Sequence, residues 1–253
     1  MFVMPDLSFF LVAVPAVMIS GLGKGGMGNA LGMLAVPLMS LVISPIKAAA
    51  IMLPLLLAMD GFAIFGWRRF VNWQIMRTIL PTGLLGVVFG FLTFNQMSES
   101  VMRFIIGTIS ILFCLNQWFG EFFKRTKNNR TPGTLYGHFW STVAGFTSFG
   151  LHAGGAPLSI YMLPQKLGKQ ALAGTMAVFF GIINLSKLPA YEQLGQFTSE
   201  NLIVSAMLLP LCPISVRLGM KLVNRIPTDL FYKVIYASLF ITGTKLLIDS
   251  LSL

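Results

Sequence analysis

The sequence predicts an all-α integral membrane protein made of two inverted-topology repeats, and three observations support this prediction. The 253-residue chain is 55% hydrophobic and only 10% charged, whereas a soluble domain carries roughly 25% charged residues. Apolar segments follow one another along the chain, and many approach the ~20 residues needed to cross a bilayer. Landmarks of the first half also recur in the second half.

The apolar segments number ten. They are 2–20, 29–43, 45–66, 75–94, 100–119, 134–150, 156–167, 170–190, 201–222 and 229–248. Two of them, 29–43 and 156–167, are too short to cross upright and resemble re-entrant segments. Each follows a glycine-rich break, so we expect each to form a helical hairpin with the segment before it. The other six are expected to be full spans, three in each repeat.

The repeat is visible in the positions of glycine and proline. Three glycines of the first half recur at an offset of 129, namely Gly21, Gly25 and Gly26 as Gly150, Gly154 and Gly155. Matching "KAAAIM" with "QALAGT" brings Asp60 close to Asn184. We therefore expect one transmembrane domain over 1–253, with repeat 1 at about 1–120, a cytoplasmic connector at about 121–133 and repeat 2 at about 134–253. Inverted repeats with broken helices are typical of secondary transporters.

The placement of charge predicts the orientation. The net charge is +10, and the basic residues lie at segment ends, which indicates a lipid bilayer rather than a nucleic acid as the partner. Cytoplasmic loops are rich in Lys and Arg. Placing the basic clusters inside predicts a multi-pass protein of the bacterial cytoplasmic membrane, with both termini in the periplasm. We expect no cleaved signal peptide, because a basic n-region and a cleavage site are absent from the start of the sequence.

The two glycine breaks, "GLGKGGMGN" and "SFGLHAGGAP", predict an anion site. Irregular backbone at membrane depth must be buried in protein or line a wet cavity. A helix is expected to begin after each break, near Asn29 and near Pro157, and helix N-termini attract anions. The predicted substrate-binding residues are Lys24, Gly25, Gly26, Asn29, His152, Gly154, Gly155 and Asn184. Gly86 and Gly90, four residues apart, are instead expected to serve helix packing.

The charged and titratable residues leave alternatives open. Lys24, deep in the membrane, is expected to contact an anion, or else to pair with Asp60 or a backbone carbonyl. His152 fits either an anion contact that titrates during transport or a packing role. Asp60 either carries a coupling proton or pairs with Arg68 or Arg69, and the ion pair is the favoured interpretation. Lys187, near a segment end, is expected to reach the membrane surface.

These motifs resemble the TauE/SafE family of membrane proteins called sulfite exporters. The resemblance rests on "GLGKGGMGNALGMLAVP", on "FGWRRFVNWQ" and on "FGLHAGGAPLSIYMLP", and it covers roughly residues 10–248. It implies a transporter for sulfite or a short organosulfonate, acting as an exporter. Lys24 stands where the family more often has a small residue, and His152 interrupts the second glycine group.

Other functions are weighed against this one. The sequence contains no GxxxxGK[ST] loop, so a gradient or the membrane potential must supply the energy. A transporter or passive channel for another small anion, including an importer, is the alternative. The motifs GxSxG and HExxH are absent as well, so no enzyme activity is expected, and neither is a cofactor or a metal. The sequence leaves the oligomeric state open.

Overall fold

A computed structural model describes residues 6–93 except 28 and 41, residues 132–251, and part of the intervening segment. In that segment the described positions are 98, 100, 101, 104, 105, 107, 108, 110–112, 114, 115 and 118. All but the last two residues of the predicted connector 121–133 lie outside this description. Every regular element of the described residues is a helix.

In the described part of the first half, five α-helices have defined bounds. They are α1 (Leu7–Leu22), α2 (Asn29–Gly32), α3 (Ala35–Met39), α4 (Pro45–Trp67) and α5 (Trp73–Thr93). A break over Gly23–Met27, kinked at Gly26, joins α1 to the segment that leads into α2, and a 3-10 turn, Arg68–Phe70, follows α4. The predicted segment 29–43 is thus two short helices instead of one.

The second half contains seven α-helices. They are α6 (Thr134–Leu151), α7 (Gly155–Met162), α8 (Lys169–Ser186), α9 (Leu188–Gln193), α10 (Ser199–Leu208), α11 (Leu211–Arg225) and α12 (Thr228–Leu251). The predicted segment 201–222 consists of two helices, α10 and α11, which meet at an angle of 46°. Pro210 lies in the break, and its missing N–H and its ring prevent a continuous helix.

Four stretches of the described residues are long and apolar enough to cross a membrane, and the bent α10–α11 pair makes a fifth. The four are Leu7–Gly26, Ile46–Phe70, Trp73–Thr93 and Lys169–Gln193. The prediction of an all-α membrane protein is confirmed. The inverted relation between the halves stays a prediction.

Glycines let α5 pack closely against α6. A methyl group on Gly86 would lie 2.8 Å from the Phe146 nitrogen, and one on Gly90 would lie 2.7 Å from the Phe149 Cβ. Both positions exclude a side chain, since such contacts are shorter than packed atoms allow. The expected packing role of Gly86 and Gly90 is confirmed.

The two halves meet in the interior of the protein. Helix α4 packs against α8, α1 packs against α11, and α2 contacts α7. The α2–α7 region also contains a direct bond, because the Ala156 N–H donates to the Met33 sulfur at 3.0 Å. Both glycine breaks therefore lie beside the α4–α8 contact.

Candidate functional site

In the first break, Lys24 is followed by two closely packed glycines. Gly25 packs against α11, where a methyl group would lie 2.8 Å from the Gly219 Cα, and its carbonyl accepts a hydrogen bond from the Trp67 indole N–H at 3.1 Å. Gly26 has φ +123°, a conformation that side chains rarely adopt. The backbone that directly follows Lys24 is thus fixed at two successive residues.

In the second break, the residue with a left-handed backbone conformation is a histidine. His152 has φ 52° and ends α6, whereas Gly154 has φ −67°. Gly154 serves close packing instead, since a methyl group there would lie 2.9 Å from the Ser148 Cβ and 3.0 Å from Phe180. Helix α7 begins at Gly155, which places Pro157 in the first turn, as expected.

Lys24 pairs with Asp60 of α4. Its Nζ lies 2.5 Å from the Asp60 Oδ1, and the two side chains are 6% and 2% exposed. The lysine also lies over the Phe180 ring, 5.1 Å from the ring centroid. Of the two interpretations of Lys24, the pair with Asp60 is present in the structure.

The favoured pairing of Asp60 with Arg68 or Arg69 is wrong. Arg68 is exposed, and its guanidinium lies 4.8 Å from the centroid of the Phe65 ring. Eight residues along a helix span about 12 Å, which separates Arg68 from a carboxylate that points into the protein.

Asn184 of α8 connects the Lys24–Asp60 pair to a second lysine. Its Nδ2 donates to the Asp60 Oδ2 at 2.6 Å, and its Oδ1 accepts from the Lys187 Nζ at 2.8 Å. The two contacts fix the orientation of the amide, with its donor towards the anion and its acceptor towards the cation.

Lys187 is completely buried, at 0% exposure. Its Nζ donates to the Ser148 carbonyl at 2.6 Å and lies 2.8 Å from the Ser148 hydroxyl oxygen. The expectation that Lys187 reaches the membrane surface is wrong. Helix α8 ends at Ser186 and α9 starts at Leu188, so Lys187 lies at an internal break of the span Lys169–Gln193.

His152 is the last residue in this series of polar contacts. Its Nδ1 lies 3.1 Å from the Lys187 Nζ, and its Nε2 lies 3.0 Å from the Ala49 carbonyl oxygen. Its ring stacks on Tyr191, with centroids 6.2 Å apart, and the Tyr191 hydroxyl donates to the Phe149 carbonyl at 2.8 Å. We call Lys24, Asp60, Ser148, His152, Asn184 and Lys187 the buried polar cluster.

The buried polar cluster faces a small cavity of about 20 Å³. The lining residues come from both breaks and from α4, α6 and α8, and they are Lys24, Gly32, Leu56, Ser148, His152, Gly155, Phe180 and Asn184. Two further cavities flank it. One is lined by Lys24, Gly26 and Met176 among others, the other is lined by Ala49, Tyr191 and Gln196 among others, and each has a volume of about 10 Å³.

Some of the predicted site residues line these cavities, and the others lie elsewhere in the protein. Lys24, His152, Gly155 and Asn184 line the central cavity, and Gly26 lines the neighbouring one. Gly25 and Gly154 pack against helices, and Arg68 is remote. Asn29 starts α2, but its side chain lies outside the described part of the structure.

Two members of the buried polar cluster are absent from the predicted site, Ser148 and Lys187. The sequence carried no local signal for the burial of Lys187, because that burial depends on its contact with Ser148 of α6, 39 positions away. Within the described residues, no group of three His, Cys, Asp or Glu side chains could hold a metal ion.

The sequence model of the family described as Sulfite exporter TauE/SafE matches residues 13–246. The chain belongs to the TauE/SafE family. The match includes both glycine breaks and every residue of the buried polar cluster, and it confirms the resemblance noted in the sequence. Membership implies a transporter of the sulfite or anion exporter type. No curated protein and no solved structure matches the chain.

Proposed function

We propose that this TauE/SafE protein is a secondary transporter that exports sulfite or a short organosulfonate across the bacterial inner membrane. The observation that carries the proposal is the buried polar cluster, which places two lysines and one carboxylate beside a cavity, with Asn184 between Lys187 and the carboxylate. Charged side chains inside a membrane are costly and usually functional. Two ammonium groups with one counter-ion leave a place for an anion.

The walls of the central cavity suit a small oxyanion. Lys24 offers an ammonium group, Asn184 and Ser148 offer polar side chains, and Gly32 and Gly155 allow close approach of the backbone. Leu56 and Phe180 make the rest of the wall apolar. A low-dielectric wall strengthens the attraction between the lysine and the anion.

Helix N-termini contribute less than the sequence suggested. Helix α2 has four residues, and the Ala156 N–H near the start of α7 is already bonded to the Met33 sulfur. The side chains of the buried polar cluster therefore supply most of the attraction for an anion.

The arrangement of the three cavities supports a carrier instead of an open pore. Lys24 lines both the first and the central cavity, so its side chain stands between them. His152 lines the central cavity and stacks on Tyr191, which lines the third. An anion that moves through the row must displace each of these side chains in turn, as alternating access requires.

The membrane potential suffices to drive export. With the cell interior negative, moving one negative charge outward gains about 2.3 kcal/mol for every 100 mV. Efflux of an anion therefore needs no coupled ion, whereas import of the same anion would.

Binding measurements on the purified protein test the proposal. Sulfite, short sulfonates and short carboxylates are added one at a time, and the melting temperature is compared with that of the anion-free protein. We expect stabilisation by the sulfur oxyanions that disappears in Lys24→Ala and persists in Lys47→Ala. Lys47 is a suitable control because its side chain is 44% exposed, on the protein surface. Equal stabilisation of Lys24→Ala and the unmodified protein would overturn the assignment of the site.

Transport is tested in proteoliposomes. A carrier gives saturable efflux of sulfite and counterflow against trapped substrate, while a channel gives neither saturation in the same range nor counterflow. Flux that grows linearly with concentration would replace the carrier with a pore.

A further inference from the structure

We infer that the site accepts one negative charge, so that the transported species is a monoanion. The inference rests on the proposed function and narrows its substrate class to hydrogen sulfite and monosulfonates. It follows from the charges that the hydrogen bonds of the buried polar cluster require.

Lys187 is an ammonium ion in this arrangement. Its Nζ lies within 2.8 Å of three oxygens, the Ser148 carbonyl, the Ser148 hydroxyl and the Asn184 Oδ1. Two of these are carbonyl oxygens that only accept, and His152 offers a further acceptor at 3.1 Å. Three of these partners carry no hydrogen of their own, the Ser148 carbonyl, the Asn184 Oδ1 and the His152 Nδ1. They match the three N–H donors of an ammonium group, which has no lone pair.

His152 is neutral in the same arrangement. Its Nε2 faces the Ala49 carbonyl oxygen at 3.0 Å, and this contact requires a hydrogen on Nε2. Its Nδ1 faces the Lys187 ammonium at 3.1 Å, and this contact requires a bare nitrogen. A second proton on the ring would point at an ammonium group, so the contacts assign the neutral Nε2–H tautomer.

The count of charges then gives a single net positive charge. Lys24 and Lys187 are cations, and Asp60 is an anion with the Lys24 Nζ at 2.5 Å. Among the described residues, no other buried side chain carries a charge. Tyr191, which faces His152, is neutral because its hydroxyl donates to the Phe149 carbonyl at 2.8 Å.

A monoanion neutralises this site and a dianion does not. One excess negative charge would remain in an apolar interior, where an unpaired charge is strongly disfavoured. The site should therefore select hydrogen sulfite over the sulfite dianion, and a monosulfonate over a sulfonate that also carries a carboxylate.

Asp60 sets the charge of the site without lining the cavity. The cavity wall includes its partners Lys24 and Asn184 but not Asp60, and both carboxylate oxygens face those partners. Asp60 is thus a positioning residue that removes one unit of positive charge. Exchange of its carboxylate for an amide should change which anions bind, and not merely how tightly.

Three nearly isosteric variants form a charge series. Asp60→Asn raises the site charge by one unit, Asn184→Asp lowers it by one unit, and the double variant Asp60→Asn/Asn184→Asp leaves it unchanged while the carboxylate moves from Lys24 towards Lys187. The probes are isethionate, a monoanion, and sulfoacetate, a dianion of similar size. Binding is measured by calorimetry on detergent-purified protein at neutral pH.

The unmodified protein should bind isethionate at least about tenfold more tightly than sulfoacetate, since an extra unit charge in a low-dielectric site has a large effect. Asp60→Asn should reverse this preference, Asn184→Asp should bind neither anion measurably, and the double variant should again prefer isethionate. An unchanged preference in Asp60→Asn, or equal binding of both anions by the unmodified protein, would overturn the inference. Absence of binding by every anion, sulfite included, would overturn the proposed function as well.

A second measurement needs no variant. As the pH rises above the second ionisation of sulfite, the affinity for total sulfite should fall by about tenfold for each pH unit, because the monoanion becomes scarce. The affinity for isethionate, whose charge is constant, should stay level over the same range. A parallel fall for isethionate would assign the effect to the protein, and a level affinity for sulfite would contradict selection of the monoanion.

Discussion

Asp60 of α4 and Asn184 of α8 hydrogen-bond to each other at 2.6 Å in the interior of the protein. The two residues occupy nearly matching places in the predicted repeats. If a two-fold axis relates the two repeats, corresponding positions near the axis contact each other. The packing of α4 against α8 is likewise a contact between corresponding helices of the predicted repeats. The contact supports the inverted-repeat prediction, which a topology experiment can test.

Cysteine labelling from one side of the membrane tests the predicted topology. In a background without Cys114 and Cys212, we expect Gln193→Cys to react with a membrane-impermeant maleimide in intact spheroplasts. Lys221→Cys should react only after permeabilisation, because it belongs to a basic cluster predicted to be cytoplasmic. Both residues are exposed, so access to the reagent depends on the side of the membrane. Labelling of both sites in intact cells would contradict the predicted orientation.

Removal of Lys24 should destabilise the protein. Lys24→Ala leaves the Asp60 carboxylate buried without its cation, and loss of one partner of a buried pair costs about 3–5 kcal/mol. Lys24→Ala/Asp60→Ala removes both charges and should recover part of that loss. Lys47→Ala should change the free energy of unfolding by less than about 1 kcal/mol, because its ion pair with Glu200 is exposed. Equal stability of the two single variants in detergent melts would contradict a buried Lys24–Asp60 pair.

The two glycines Gly26 and Gly61 should respond oppositely to alanine. Gly26→Ala forces a methyl group onto a residue with φ +123°, 3.2 Å from Val223, and such a conformation costs about 1–3 kcal/mol for a non-glycine residue. Gly61 lies within α4, and a methyl group there would have none of the described atoms of other segments within 4 Å. Gly61→Ala should stabilise the helix by about 0.5–1 kcal/mol. Thermal melts in one detergent compare the two, and a loss of stability in Gly61→Ala as large as in Gly26→Ala would refute the argument.

Two substitutions of His152 can distinguish the role of its left-handed backbone conformation from the role of its side chain. Asparagine tolerates this conformation and β-branched residues do not, so His152→Asn should be more stable than His152→Val by about 1–2 kcal/mol. Both variants lack the imidazole nitrogen that faces Lys187, and both should bind sulfite more weakly than the unmodified protein. Equal melting temperatures of the two variants would show that φ 52° at this position has no energetic effect.

Much of the site was predictable because its signals are local. The paired glycines of "GLGKGGMGN" and "HAGGAP" mark the two breaks, and a lysine and a carboxylate inside apolar segments mark Lys24 and Asp60. These signals depend on composition within a few residues. The structure brings Lys24, Asp60 and Asn184 together, as hydrogen bonds between three separate segments.

Partner choice and burial were not predictable from local signals. The pairing of Asp60 depends on which helix faces it, and Lys24 lies 36 positions away in sequence. Lys187 looked like a residue of a helix end because the apolar segment stops soon after it. Its burial results from the placement of α6, whose Ser148 carbonyl lies 2.6 Å from its Nζ, and long-range packing of this kind leaves no pattern in the neighbouring sequence.

The Lys24 side chain lines two adjoining cavities. Its position therefore affects how readily ions could leak across the membrane through this protein. In the proposed transporter, the Lys24 ammonium group paired with Asp60 would close the row of cavities, so that water and protons meet a fixed positive charge there. Under the proposed function, the transported anion would open this path by giving the ammonium group a second partner. The membrane would thus remain impermeable to ions while the transporter is empty, even in a cell that contains many copies of this protein.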